Sequence, residues 1–327
     1  MNNTVSQKYR VLKLLGEGGT SLVYLGKNIE SGELVTIKRL KRNVALSVKE
    51  SFDNEAEMLI KVQSDGFPKL LEKKDGYMVL SFIKGKTLRE VLLSKGRLKE
   101  NEMLHIAKEL SGLMRKLHER KEPVIYRDLK PENIVIDNDG KVSLIDFGAA
   151  RAYKTDGSVD TTNLGTYGFA APEQYGSLGQ TNVQTDIYCF GMTLLQMVSG
   201  MDLRDSDRIA SFKKNGIRGI SPDTIRLIYK CIKADRRERF ESFEEIEKAL
   251  LRIPVKRAIG KTVMMLKVTA ASFLIALGFS TALLHYDDVS DYLKEDFDKK
   301  APAVLIRLGY ARERLDLFFD EILKERE

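Results

Sequence analysis

Between Tyr9 and Leu40 apolar and polar residues alternate around turn signals, which predicts antiparallel strands. From Val48 to Val62 the period lengthens: Phe52, Ala56, Leu59 and Ile60 recur at helical spacing. Tyr77 to Ile83 is an apolar run of strand length. Helical spacing returns over Thr87–Leu93 and Asn101–His118, the second with a stripe of Leu104, Ala107, Leu110, Leu113, Met114 and Leu117. Ile134–Ile136 and Val142–Ile145 flank Asp137-Asn138-Asp139-Gly140, a turn sequence between two short strands. A very apolar helix opens at Thr185, and further helical patterns cover Pro222–Ile232 and Phe243–Leu251. Strands therefore dominate the first part and helices the second.

A different pattern follows. Thr262 to Leu284 is apolar except for hydroxyls, Gly278 and Lys267, and Val268–Leu284 (284 − 268 + 1 = 17 residues) is uncharged. At about 1.5 Å per residue the full stretch approaches the roughly 30 Å core of a bilayer, so a transmembrane helix is expected at 262–285, with an in-plane or buried helix as the rival. Arg252, Lys256, Arg257 and Lys261 precede it; Asp287, Asp288 and Asp291 follow. The basic side should stay cytoplasmic and the tail outside. Within that tail, Ala303–Lys324 predicts an amphipathic helix, suited to self-association, to a membrane partner or to plain solvation.

Charge sharpens this division. The chain of 327 residues carries 54 basic and 47 acidic side chains, a net +7. Residues 286–327 hold 8 basic and 12 acidic residues, a net of −4, so the preceding 285 residues are +11. With no aromatic-basic repeat or nucleic-acid motif, a membrane surface explains the basic body better than nucleic acid. Cys189 and Cys231 lie in apolar helices and read as buried thiols of a reducing compartment. His105, His118 and His285 form no metal cluster, and Met1–Arg10 has no apolar run of a signal peptide.

The chemistry concentrates in Tyr126-Arg127-Asp128-Leu129-Lys130-Pro131-Glu132-Asn133 and, thirteen residues on (146 − 133), Asp146-Phe147-Gly148. Asp128 can accept a proton from a hydroxyl. Lys130 can neutralise a phosphoryl group in transit. Asn133 and Asp146 offer oxygens to a hard cation such as Mg²⁺. A base beside two metal-holding groups suits phosphoryl transfer, where catalysis is mostly positioning and charge neutralisation. Upstream, Gly16-Glu17-Gly18-Gly19-Thr20-Ser21-Leu22-Val23 links two strands and would let backbone amides approach phosphate oxygens.

These stretches resemble the glycine-rich loop, catalytic loop and metal-binding triplet of protein kinases, in particular the eukaryotic-like serine/threonine kinases of bacteria in a single-pass membrane form. Val35-Thr36-Ile37-Lys38 resembles the family's lysine-bearing strand and Gly165–Glu173 its Ala-Pro-Glu region. Tyr126 stands where the family usually has His, Ser21 at the loop's third glycine, and Thr36 where Ala roofs the adenine pocket. The resemblance covers about residues 9–252 and implies an α+β, bilobal fold: an N-lobe over 1–83, a C-lobe over 84–253, then a basic linker at 254–261, the span, and a short helical tail at 286–327.

The same resemblance implies ATP as nucleotide and Mg²⁺, with Mn²⁺ as a substitute. Leu15, Gly16, Gly18, Gly19, Ser21 and Val23 would cover the nucleotide; Thr36, Leu80, Phe82 and Ile83 would surround adenine. Lys38 would orient the phosphates, paired with Glu55, or with Glu57 as the alternative. Asp128 and Lys130 would be catalytic, Asn133 and Asp146 would hold metal. Thr161 or Thr162, once phosphorylated, would dock on Arg127, and Thr166 with Lys130 points to Ser/Thr acceptors. Asp186 would anchor the catalytic loop, and Glu173 would pair with Arg239. The implied function is transfer of the ATP γ-phosphoryl group to protein hydroxyls, with a homodimer allowing trans-autophosphorylation. The alternatives are a membrane-tethered pseudokinase scaffold and a small-molecule phosphotransferase.

Overall fold

A computed structural model of the chain describes residues 4–5, 7–153, 166–175, 180–203, 206–284 and 290. Its first part is a six-stranded antiparallel sheet built from β1 (Thr4–Val5), β2 (Tyr9–Glu17), β3 (Ser21–Asn28), β4 (Leu34–Leu40), β5 (Leu70–Lys74) and β6 (Tyr77–Ser81), in the order β1-β2-β3-β4-β6-β5. Helix α1 (Leu46–Lys61) lies between β4 and β5 in sequence. Side chains alternate across a strand. On β4, Val35 and Ile37 therefore join Tyr9 and Val79 in a small buried cluster, while Thr36 and Lys38 take the other face. Lys38 sits opposite Val23 on one side and Met78 on the other, and Thr36 sits opposite Leu80.

On α1 the buried face is Phe52, Glu55, Ala56, Met58 and Leu59. Ile60, expected on that stripe, is 55% exposed; Met58 takes the inward position instead, because the stripe turns with the 3.6-residue period.

The second part follows as β7 (Lys86–Thr87), α2 (Leu88–Lys95), α3 (Glu100–His118), β8 (Val124–Ile125), β9 (Ile134–Ile136), β10 (Val142–Leu144), β11 (Arg151–Ala152), α4 (Val183–Ser199), α5 (Ser206–Asn215), α6 (Pro222–Cys231) and α7 (Phe243–Leu284). Helix α2 starts on a capping box in which Thr87 and Glu90 satisfy each other's backbone amides. The expected stripe of α3 holds: Ala107, Leu110, Met114 and Leu117 are fully buried, Leu113 nearly so, and only Leu104 is half-buried at the edge. Helix α4 runs through the centre of this core. It packs so closely on α6 that a Cβ at Gly191 would lie 2.5 Å from the Cys231 side chain. Strands β9 and β10 pair around the Asp137–Gly140 turn, and β7 joins β9.

The chain divides into two compact units, Met1–Val255 and Lys256–Glu327. In the second, α7 continues to Leu284, and Met264, Met265, Leu266, Val268, Phe273, Leu274, Ile275 and Leu277 are exposed. Among the described residues no helix is long and apolar enough to cross a membrane. The expected transmembrane helix thus gains no support here. Lys267 interrupts the apolar stretch and leaves an uncharged run of 17 residues (268–284), at the short end of the about 17–25 that a span takes. The expected tail helix at 303–324 lies outside the described residues.

Candidate active site

The sheet and α1 meet at Lys38. Its Nζ donates to both carboxylate oxygens of Glu55 at 2.7 Å and to Asp146 Oδ1 at 2.9 Å. Glu55 is 2% exposed, whereas the alternative partner Glu57 faces solvent. Burial pulls the Lys38 ammonium down, but the two carboxylates outweigh it and hold it above the usual lysine value. Burial pushes Glu55 up to about 7, with Lys38 opposing. Desolvation likewise pushes Asp146 up, yet Lys38 and the Gly148 amide hold it below the ordinary aspartate value. Two further bonds tie α1 to the segment after Asp146: Ser51 Oγ donates to Gly148 O at 3.2 Å and Asn54 Nδ2 to Ala150 O at 2.9 Å.

The catalytic-loop residues form a second knot. Asp128 Oδ1 accepts from Thr166 Oγ1 at 2.8 Å; Asp128 Oδ2 accepts from Asn133 Nδ2 at 3.0 Å and Lys130 Nζ at 2.6 Å. Lys130 Nζ also donates to Thr166 Oγ1 at 2.7 Å. The turn is pinned from both ends. Asn133 Nδ2 bonds the carbonyl of Asp128 at 2.8 Å, and the Ile145 amide bonds the carbonyl of Asn133 at 2.9 Å. The second bond brings Asp146 beside Asn133.

Below the loop, Asp186 is fully buried and accepts from the amides of Tyr126 and Arg127 at 2.8 and 2.7 Å and from His118 Nε2 at 2.8 Å. Asp186 thus bonds the catalytic-loop backbone where the anchor is expected, and His118 is a further donor to it. Arg127 and Asp146 adopt φ values of 68° and 66°, two of the three non-glycine residues with positive φ among those described. Such backbone costs about 1–3 kcal/mol and persists only where surroundings over-determine it; the Asp186 and Lys38 bonds supply that constraint.

Two contributors escaped the sequence reading. Tyr126 is more than a substitute for His: its hydroxyl donates to the carbonyl of Ile145, and its ring packs edge-on against Phe147 at 5.2 Å. Gln174 Nε2 donates to the Arg127 carbonyl at 2.9 Å, joining the Ala-Pro-Glu segment to the catalytic loop. Both act on backbone groups, which no motif spacing marks. The expected Glu173–Arg239 pair is present as a two-point contact at 2.7 and 3.0 Å, and Thr185 also donates to Glu173 at 2.9 Å.

On the nucleotide side, the glycine-rich turn is closed by the Gly18 amide on the Ser21 carbonyl at 2.8 Å, with Gly16 opposite Val23. Leu15 is 44% exposed and Leu80 6% exposed, while Phe82 and Ile83 are half-buried in the connector after β6. Arg127 is buried and its Nε donates to Ala149 O at 2.5 Å; Thr161 and Thr162 lie outside the described residues. Asn133 and Asp146 carry the hard oxygen donors that Mg²⁺ prefers. Among the described residues no group of three or more His, Cys, Asp or Glu side chains could hold a metal alone. Such a cation fits here only if substrate phosphates complete its shell, which is how Mg²⁺ is usually held.

A β-rich lobe with a strand lysine paired to a helix glutamate, set beside a helical lobe that presents a base and an acidic triplet, defines the two-lobed kinase class. The chain belongs to the protein kinase domain family, which matches residues 9–251. It is similar to the serine/threonine-protein kinase PrkC of Bacillus subtilis, 27% identical over 261 residues, covering 74% of this chain and 40% of that protein. It is also similar to a probable serine/threonine-protein kinase of Clostridium acetobutylicum, 25% identical over 265 residues, 75% of this chain and 40% of that one. A probable serine/threonine-protein kinase of Arabidopsis thaliana, PBL24, is 34% identical over 222 residues, 63% of this chain and 55% of that one. The chain thus spans about two-fifths of the length of the bacterial relatives it matches.

Proposed function

We propose that the chain transfers the γ-phosphoryl group of ATP to Ser or Thr hydroxyls of proteins. One observation carries this: Lys130 and Thr166 converge on the carboxylate of Asp128, at 2.6 and 2.8 Å. Asp128 is then held ready to take the proton of an acceptor hydroxyl, a role worth about 10²–10⁴ in rate. Lys130 neutralises charge on the transferring group. Lys38, fixed by Glu55, orients the phosphates, and Asn133 and Asp146 hold the divalent cation. That cation, when bound, neutralises the phosphate oxygens. Gly16 and Gly19 support the phosphate-covering role: a Cβ there would meet nothing within 4 Å, so no protein contact requires glycine at either. Purified protein should label peptides at Ser or Thr with Mg²⁺-ATP. Labelling of sugars or other metabolites but no peptide would refute the reading.

Two finer parts belong to the same proposal. Phosphorylation of Thr161 or Thr162 within a homodimer would place a phosphate near Arg127 and order the segment leading to Thr166; mass spectrometry of active protein that finds both threonines bare would sink it. The apolar stretch of α7 would tether the chain to a lipid bilayer, with the kinase on the cytoplasmic side. Its support is that the hydroxyls of Thr269, Ser272 and Thr281 already bond carbonyls of their own helix, at 2.9–3.1 Å, as a helix in lipid requires.

A further inference from the structure

Gln174 closes the short 3₁₀ turn Pro172–Gln174 and is 5% exposed. Its Oε1 accepts from the Ala171 amide at 2.9 Å and from Cys189 Sγ at 3.5 Å, and its Nε2 donates to the Arg127 carbonyl at 2.9 Å. A backbone N–H only donates and a backbone carbonyl only accepts, so these partners dictate which end of the side-chain amide carries nitrogen. The place needs an acceptor and a donor on one head, and an amide supplies both at any pH.

The groups it joins decide its use. The Arg127 carbonyl belongs to the peptide unit that leads into Asp128, and Arg127 holds a φ of 68°. Asp186 fixes the Arg127 amide and Gln174 fixes its carbonyl. Ala171, fully buried, ends a segment that starts at Thr166. The Thr166 hydroxyl bonds Asp128 Oδ1 at 2.8 Å, and its carbonyl accepts from the Phe169 and Ala170 amides at 2.9 and 3.0 Å. Segment 166–171 is thereby fixed to Asp128 at two points, to the side chain by Thr166 and to the backbone by Gln174. Between those points Tyr167 is 68% exposed. An acceptor hydroxyl has to come within hydrogen-bond reach of Asp128, and this segment offers exposed surface next to it.

We propose that Gln174 is a positioning residue for the acceptor: its amide keeps segment 166–171 in register with Asp128, so that a polypeptide hydroxyl laid on the segment meets the base. The inference rests on the protein-kinase reading and goes beyond it by naming what aligns the acceptor. Water, the competing acceptor, is laid on no segment and finds its own position. Loss of the register therefore penalises a peptide more than water. A misplacement of about 1 Å can cost about 10² in rate.

The test compares Ser/Thr peptide phosphorylation with ATP hydrolysis in the full-length protein, in wild type, Gln174→Leu and Gln174→Glu. Gln174→Leu keeps most of the bulk and loses both backbone bonds. Its ratio of peptide kcat to hydrolysis kcat should fall at least about tenfold; the ratio cancels any general loss of activity. Gln174→Glu keeps the shape. Ionised, it turns an oxygen on the Arg127 carbonyl and should lower the ratio as far. Protonated, its O–H replaces the lost donor while its carbonyl still accepts from Ala171. Burial first, and then Asp186, Asp128 and Glu173, push the neighbouring Cys189 thiol well above the ordinary cysteine value. The introduced carboxyl shares those surroundings, and burial likewise favours its neutral form. Arg127 and Arg239, which would oppose this, are engaged by the Ala149 carbonyl and by Glu173. Taken relative to wild type at each pH, the Gln174→Glu ratio should therefore recover as pH falls from about 8 to about 6, while the Gln174→Leu ratio should not. A wild-type ratio kept by either variant near pH 8, an equal loss of both reactions, or a Gln174→Glu ratio that stays flat with pH overturns the inference and leaves the kinase reading standing. Wild-type protein that hydrolyses ATP but labels no peptide would overturn the kinase reading itself, and the inference with it.

Discussion

Tyr126 shows how one side chain can couple two motifs. Its hydroxyl holds the backbone just before Asp146 and its ring supports Phe147, which is fully buried and also packs edge-on against Phe67 at 5.6 Å. Tyr126→Phe keeps the ring and removes the donor. The carbonyl of Ile145 then loses its partner, at a cost of about 1–3 kcal/mol, readable as a lower midpoint in urea unfolding. An unchanged midpoint would mean that the hydroxyl holds nothing. The two thiols make the opposite point. Burial pushes Cys189 and Cys231 well above the ordinary cysteine value, and both side chains are buried. Thiolate is the reactive form, so iodoacetamide should label neither in the native protein and both after denaturation. Rapid native labelling would contradict that packing.

At the scale of elements, the contact between the Ala-Pro-Glu segment and the loop before α7 rests on Glu173 and Arg239, 8% and 3% exposed. Removing one partner of a buried pair strands the other, so Arg239→Met should cost about 3–5 kcal/mol in denaturant unfolding. The pH dependence has a definite sign. Burial pushes Glu173 up, but the two bonds from Arg239 and the Thr185 hydroxyl outweigh it and hold it below its ordinary value of 4.5. A depressed carboxylate stabilises the fold above its unfolded value and loses that contribution as pH falls through the folded one. The gap between wild type and Arg239→Met should therefore be full near neutrality and shrink below about pH 4.5. A gap that widens in acid would contradict the pairing. Much of this level was legible in the chain: α3 and α4 announce themselves by long apolar stripes, and the motif residues make the contacts the resemblance implies, Lys38 with Glu55 and Asp146, Asp128 with Asn133, and Asp186 with the amides of Tyr126 and Arg127. Elements whose own residues do not favour them were not legible. Strand β5 is Leu70-Leu71-Glu72-Lys73-Lys74 and exists through pairing with β6. Strands β8 and β11 are two residues each and are strands only because they pair with one another. Helix α5 is largely polar.

For the whole molecule, the sequence divides its charge between a basic body and an acidic end, and the structure divides at Val255. If the apolar part of α7 tethers the chain, alkaline carbonate extraction of expressing cells should leave the protein in the pellet. Deletion of residues 262–285 should release it to the supernatant without loss of peptide phosphorylation. Full extraction of the intact chain would contradict the tether and leave the chemistry untouched. The chemistry has a more direct test. Purified protein should transfer ³²P from γ-labelled ATP to a Ser/Thr peptide only when a divalent cation is supplied. Asp128→Asn should lower that transfer at least about a hundredfold while the variant keeps the wild-type unfolding midpoint and still binds nucleotide. Turnover in Asp128→Asn equal to the wild type would contradict the account.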